Sequence, residues 1–206
     1  MDDRLIAVLE QARALGFLGP GAVDAHVVQA GAFAQAWEVS HGGAPTSMAD
    51  LGSGGGVPGL VLASRWPGCR VALLEASERR CAHLLWAVGQ LGLAAVEVVE
   101  GRVERLARQP GLEGAFELVT ARSFAPPAVT AECGARLLGD HGHLLVAEPP
   151  SGEVTERWPE PGLAELGLGP AAIYAGAARV AVIARRGPCP PRYPRRDGVP
   201  AKRPLF

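Results

Sequence analysis

The sequence predicts an α/β fold: a mostly parallel sheet with helices on both faces, preceded by a short helical appendage. Two observations predict it. From residue 48 onward, short apolar runs alternate with longer segments of helical spacing, as in the strand–helix–strand units that build a parallel sheet. The first of these runs leads into ADLGSGGGVPGL, residues 49–60, where five glycines fall within eight residues just behind Asp50. Open parallel sheets bind ligands beyond the carboxyl ends of their strands, which is where this turn sits. Glycine loses more backbone freedom on folding than any other residue, so such density implies a use: close approach of a ligand to the backbone.

Residues 2–15 place Leu5, Leu9, Ala12 and Leu15 at helical spacing, and Gly16 with the Gly19-Pro20-Gly21 cluster stops that helix. A second helix is expected from about residue 24 to residue 39, burying Val27, Val28, Phe33 and Trp37, with HGGAPTS (41–47) as a loop. Residues 1–45 are thus a helical N-terminal appendage, and 46–206 the ligand-binding domain. Strands are expected at 48–51, 71–74, 96–99, 118–121, 143–147 and 180–184. Helices are expected at 58–64, where Pro58 suits a first turn, at 77–91 with Ser77 as N-cap, and at 127–137. Residues 149–170, rich in Pro, Gly and Glu, read as a surface insertion. There is no internal repeat.

A length of 206 residues is enough to bury a core, and 48% hydrophobic residues exclude wholesale disorder. No apolar run approaches a membrane span, and MDDRLIAVLEQARALGF is too acidic and too interrupted for a secretory signal. Cys69, Cys81, Cys133 and Cys189 form no CxxC pair, so neither a metal site nor a disulfide framework is indicated, and a reducing cytoplasm is the expected setting. The net charge of −1 conceals an asymmetry. From residue 185 on, seven basic residues against Asp197 give the tail +6, leaving −7 on the rest. A basic tail on an acidic body suggests an anionic partner, nucleic acid first among candidates, or else a solvated arm.

Two ligand classes compete for the glycine turn. Gly54, Gly56 and Gly59 match the GxGxxG of dinucleotide sites, with Glu75 at a suitable distance, although the first glycine then comes several residues after the strand. The other class is S-adenosylmethionine. It has no pyrophosphate to place on a helix N-terminus. Its ammonium group suits an acid just before Gly-x-Gly, as Asp50 stands before Gly52-Ser53-Gly54, and its ribose hydroxyls suit a carboxylate such as Glu75 at the end of the second strand.

Taken together, five segments resemble the guanine-N7 methyltransferases of 16S ribosomal RNA, the GidB family. DLGSGGGVPGLVLA (50–63) resembles the family's first motif, LLEAS (73–77) its second-strand motif, GRVE (101–104) its third and VTARSFAP (119–126) its fourth. RYPRRDGVPAKRPL (192–205) resembles its closing segment and is the most specific match. The resemblance implies a Rossmann-like S-adenosylmethionine-dependent methyltransferase fold acting on 16S rRNA or the small ribosomal subunit. It implies that Gly52, Ser53 and Gly54 line the methionine part of the cofactor, Asp50 orients its amino end and Glu75 holds the ribose. Val103 and Glu104 would flank the adenine, and Arg122 would face both cofactor and methyl-transfer cleft as the catalytic residue. Arg192, Tyr193, Arg195, Arg196, Lys202 and Arg203 would bind RNA.

Two stretches depart from the family. On the helix before the first motif, His26 matches a family histidine, but Ala25 replaces an arginine and Gln29-Ala30 stands where Asp-Ser is expected. After the fifth strand the chain reads AEPPSG, with Glu148 and Pro149 in place of Lys-Gly, which puts an acid on the substrate side. Among other features, His141 and His143 beside Asp140 are expected in a hairpin-like turn with no metal. Trp37, Trp66 and Trp86 are expected in packing, and Trp158 at the surface of the insertion.

Overall fold

The computed structural model describes residues 2–206. Two helices come first, α1 (Asp3–Ala14) and α2 (Val23–His41). Asp2 caps α1 by accepting the Arg4 N–H at 2.9 Å, and Gly42 ends α2 in the left-handed conformation at φ 76°. The sheet region follows as β1 (Ser47–Leu51), α3 (Gly59–Arg65), β2 (Arg70–Glu75), α4 (Glu78–Leu91), β3 (Val96–Glu100), α5 (Val103–Leu106), β4 (Phe116–Ala121), α6 (Pro127–Ala135) and β5 (Leu138–Ala147). Then come α7 (Val154–Arg157), α8 (Glu160–Glu165), β6 (Leu168–Ala175), β7 (Arg179–Arg185) and α9 (Val199–Lys202).

The seven strands lie in the order β3-β2-β1-β4-β5-β7-β6. The first five are parallel, and β7 runs antiparallel between β5 and β6. From β1 the chain steps outward through β2 to β3, then returns to the other side of β1 for β4 and β5. The order therefore reverses between β1 and β4, and a crevice opens at their carboxyl ends. Strand alternation divides the interior in two. Ala49, Leu51, Val119, Ala121, Leu144 and Val146 face one core, while Met48, Leu118 and Leu145 face the other. Burial on both faces is why these strands read as unbroken apolar runs. Leu5, Leu9, Phe33 and Trp37 of α1 and α2 share the second core with Leu60 and Leu73, so the leading helices pack directly on the sheet.

Several elements differ from expectation. Val28 is half exposed rather than in the α2 stripe, which runs instead through His26, Ala30, Phe33, Ala34 and Trp37. Ser77 stands at the N-cap of α4 without a capping side-chain bond; Glu75 receives the Ala76 and Ser77 N–H groups instead. Asp140 and His141 belong to a register irregularity within β5, not to a hairpin turn. The His143 ring lies edge-on to His41 at 4.6 Å, and His41 stacks on Trp37 at 3.7 Å, so His143 contributes to packing while His141 is exposed. Strand β6 falls where a polar insertion was expected to end. Trp158 is not at the surface: it is 1% exposed and packs with Leu163 and Leu166 in the first core. Trp86 is the converse, 39% exposed although expected in packing.

Candidate active site

Asp50 ends β1 and is fully buried. Its Oδ1 accepts a hydrogen bond from Thr120 Oγ1 at 2.7 Å, on the neighbouring strand β4, and Oδ2 has no partner. Burial pushes the carboxyl pKa up to about 6, against the pull of the Thr120 hydrogen bond, the Ser53 hydroxyl, the Arg122 charge and the Gly59 N–H near Oδ2. A buried carboxylate oxygen with no donor is costly unless a cation or donor meets it. Directly after it, Gly52 takes φ 62°, and a Cβ there would come within 2.7 Å of the Phe124 ring. Gly54 takes φ 56° and donates its N–H to Glu75 Oε2 at 2.9 Å. The turn is thus held open by backbone shape and tied to the end of β2. Gly52→Ala is expected to destabilise the fold by about 1–2 kcal/mol through left-handed strain alone, read as a lowered urea midpoint. Displacement of Phe124 should weaken cofactor binding as well.

The cavity at the β1–β4 switch point measures about 620 Å³. Gly52, Ser53, Gly54 and Arg122 line it, as the sequence motifs imply. Arg122 ends β4 and reaches across to α2, donating from one terminal nitrogen to His26 Nδ1 at 2.9 Å and to Gln29 Oε1 at 3.1 Å. His26 Nε2 lies 3.1 Å from the Gly19 carbonyl oxygen. The Gly19 carbonyl takes a proton from Nε2, and Nδ1 accepts from the Arg122 guanidinium, which can only donate. Burial lowers the Arg122 pKa, and the Asp50 charge opposes that shift.

Four charged residues in the lining have no counterpart among the motif residues: Arg80, Glu148, Arg157 and Arg179. The Glu148 side chain is 2% exposed. It accepts from Arg157 Nε at 2.7 Å and from Trp158 Nε1 at 3.0 Å. The acid on the substrate side is therefore neutralised by the insertion that follows it. With Arg157 offset by Glu148, Arg80, Arg122 and Arg179 leave the cleft basic. Composition could flag an acid at 148 but not the arginine nine residues on that folds back over it.

Other expected site residues lie elsewhere. Glu75 bridges the turn and the start of α4 without lining the cavity. Val103 is in the first core, and Glu104 accepts from Arg102 at 3.0 Å and from the Gly198 N–H at 3.1 Å. The structure does not bring Val103 or Glu104 into the 620 Å³ cavity; Glu104 faces the tail.

The tail is a strap. Arg195 makes a bidentate pair with Glu132 of α6, whose side chain is 1% exposed, at distances down to 2.6 Å. Arg192 pairs with Glu165 at 3.2 Å, and the Tyr193 hydroxyl bonds to the same carboxylate. Tyr193 is buried, so its ring has no face free to stack on a base. Tyr193 and Arg195 therefore hold the tail to the body instead of facing RNA, while Arg192 is exposed and pairs with Glu165 only at the surface. Among the described residues, Arg196, Lys202 and Arg203 make no ion pair with a carboxylate. No group of three or more His, Cys, Asp or Glu side chains among the described residues is arranged to hold a metal ion. No described helix is long and apolar enough to cross a membrane. Burial pushes the Cys69 thiol up to about 12 and Cys81 up to about 11, so neither is a ready nucleophile.

A sequence model described as rRNA small subunit methyltransferase G (GidB) matches residues 24–153. Ribosomal RNA small subunit methyltransferase G of Moorella thermoacetica is 34% identical over 163 residues, 76% of this chain and 68% of the relative. The protein of that name from Rubrobacter xylanophilus is 35% identical over 168 residues, 77% of this chain and 64% of the relative. The chain thus spans about two thirds of these relatives' length. Among solved structures, the O-methyltransferase from Bacillus cereus in complex with SAH superposes with a TM-score of 0.62 over 90% of this chain and 91% of that one. At 17% identity that likeness concerns the fold alone.

Proposed function

We propose, from the premise that this chain belongs to the rRNA small subunit methyltransferase G family, that it transfers a methyl group from S-adenosylmethionine to guanine N7 of 16S rRNA, in the cytoplasm. The residues present fit the cofactor. Gly52, Ser53 and Gly54 present the left-handed backbone of the turn to the cavity, and Asp50, buried just behind that turn with Oδ2 beside Gly59, sets a negative charge near the end that would take the cofactor's ammonium group. When bound, the cofactor supplies an electrophilic methyl on a sulfonium leaving group.

One observation carries the choice of acceptor: among the described residues that line the cleft, neither the carboxylate nor the imidazole is free to act as a general base, and Asp50 lies behind the turn, outside the lining. Glu148 is saturated by Arg157 and Trp158, and His26 is fixed between the Gly19 carbonyl and Arg122. A hydroxyl or exocyclic amine acceptor must lose a proton on methylation, commonly to a positioned base. Guanine N7 already has a lone pair in the ring plane and needs none. The chain's task is then to orient the base in line and exclude water, and positioning of this kind is worth effective molarities of about 10⁵ M or more. Arg122 is placed to orient the acceptor, with His26 and Gln29 fixing its guanidinium. Arg80 and Arg179, with Arg157 spent on Glu148, supply the positive rim that attracts phosphates.

The test is transfer of labelled methyl to small subunits lacking the family's modification, beside deproteinised 16S rRNA, followed by nucleoside digestion. Label is expected in 7-methylguanosine. Label in another nucleoside would overturn the acceptor atom. No label, with S-adenosylmethionine binding demonstrated in the same preparation, would overturn the rRNA assignment and leave another acceptor or a purely binding role.

A further inference from the structure

Beside the cleft, where α1 meets α4, a groove of about 320 Å³ is open to solvent. Leu15, Phe17, Arg79, His83 and Trp86 form its walls. Trp37, Trp66 and Trp158 are buried, so Trp86 is the one tryptophan presented to solvent. Phe17 lines both the groove and the main cleft. The guanidinium groups of Arg79 and Arg80 lie over its ring, 5.8 and 5.9 Å from the centroid. Arg80 lines the cleft and Arg79 the groove, so the two hollows share a wall with a cation on each side. That wall also holds a polar atom with no partner. His83 is 6% exposed and its Nε2 is buried unpaired.

We propose that this groove is an accessory nucleobase site, stacking one base of single-stranded RNA next to the target nucleotide against Trp86, with Arg79 toward its phosphate. The inference rests on the rRNA reading above. A flat aromatic face beside a guanidinium is the pairing by which proteins hold unpaired bases. An apolar protein segment would cover Arg79 with no countercharge, which is costly, whereas a nucleotide brings its own phosphate. A strand whose target base enters the cleft must pass its phosphates near Arg80, and the adjoining residue then reaches the groove across Phe17.

The test uses the full chain with Trp86→Ala, Trp86→Phe and Arg79→Gln. Trp86 is too exposed for its truncation to open the core, and thermal melts check this. Binding is measured to a single-stranded 16S rRNA oligonucleotide and to deproteinised 16S rRNA, beside methyl transfer and S-adenosylmethionine affinity. Trp86→Ala is expected to weaken RNA binding by about five- to a hundredfold with cofactor affinity unchanged, and Trp86→Phe to restore most of it. Arg79→Gln is expected to reduce the slope of log K against log salt by about one unit. In the wild type, RNA should shield Trp86 fluorescence from acrylamide. Wild-type RNA binding and methylation by Trp86→Ala would overturn the groove while leaving the function intact. A defect confined to assembled subunits, with naked RNA bound normally, would assign the groove to a ribosomal protein and overturn the proposal. A wild type that binds cofactor but methylates no RNA would remove the rRNA reading itself, and the groove's role with it.

Discussion

Asp50→Asn is expected to bind S-adenosylmethionine about ten- to a hundredfold more weakly and to lose a characteristic pH dependence of stability. The affinity loss follows from removing the negative charge buried behind the cofactor turn and from disturbing the Thr120 hydrogen bond that fixes it; a hydrogen bond to a charged group is worth about 1.5–3 kcal/mol. The pH effect follows from burial. Asp50 has its pKa raised from 3.8 to about 6, chiefly by desolvation. The native state therefore holds a proton that the unfolded chain has released between those values, and stability falls as pH rises through that window. At about 1.4 kcal/mol per unit, Asp50 costs the cofactor-free protein on the order of 3 kcal/mol by pH 7. Urea unfolding of both proteins at pH 4 and pH 7, without cofactor, isolates the term as a difference: the wild type should lose more than the variant. A cation near the buried carboxylate favours its ionised form, so wild-type cofactor affinity should rise with pH through about 6. Parallel pH profiles together with unchanged cofactor affinity would remove Asp50 from the site.

Arg195→Ala is expected to lower stability by about 3–5 kcal/mol, because it strands Glu132 as a buried charge without its partner. For a chain of this size that is a drop in Tm of about 6–20 °C. Glu132 has lost nearly all contact with solvent and takes four hydrogen bonds from Arg195. Removing both charges, as in Glu132→Leu with Arg195→Met, should recover much of the loss. Arg196→Ala provides the contrast. It has no ion pair among the described residues and should leave Tm unchanged while weakening RNA binding and its salt dependence. An Arg195→Ala protein melting within about 2 °C of wild type would show that the strap contributes little.

The two arginines illustrate what a sequence can and cannot show. Arg195 and Arg196 read alike, adjacent in a basic tail, because the carboxylate that neutralises one of them lies 63 residues away. The parallel strands are legible because burial on both faces leaves unbroken apolar runs, and the position of the glycine turn at the end of β1 is legible because its spacing is local. Strand β6 was missed because LGPAAIYA is half exposed at the sheet edge and carries Pro170, so it lacks the apolar density of the central strands. Trp158 was misplaced because Pro, Gly and Glu dominate its neighbourhood, while Trp158, Leu163 and Leu166 anchor that segment to the core. The His26 and Gln29 contacts to Arg122 span 96 and 93 residues, so no local pattern announces them. Gln29 stood out in the sequence only as a departure, yet in the structure it accepts from Arg122.

The Arg195 strap also has a consequence for biosynthesis. Glu132 enters the first core with α6, but its counter-ion is translated 63 residues later. Until Arg195 has left the ribosome exit tunnel, α6 has no counter-ion for Glu132 and docks on the sheet at a cost. A product terminated within that interval never acquires the pair and is expected to melt well below the full chain, as Arg195→Ala is.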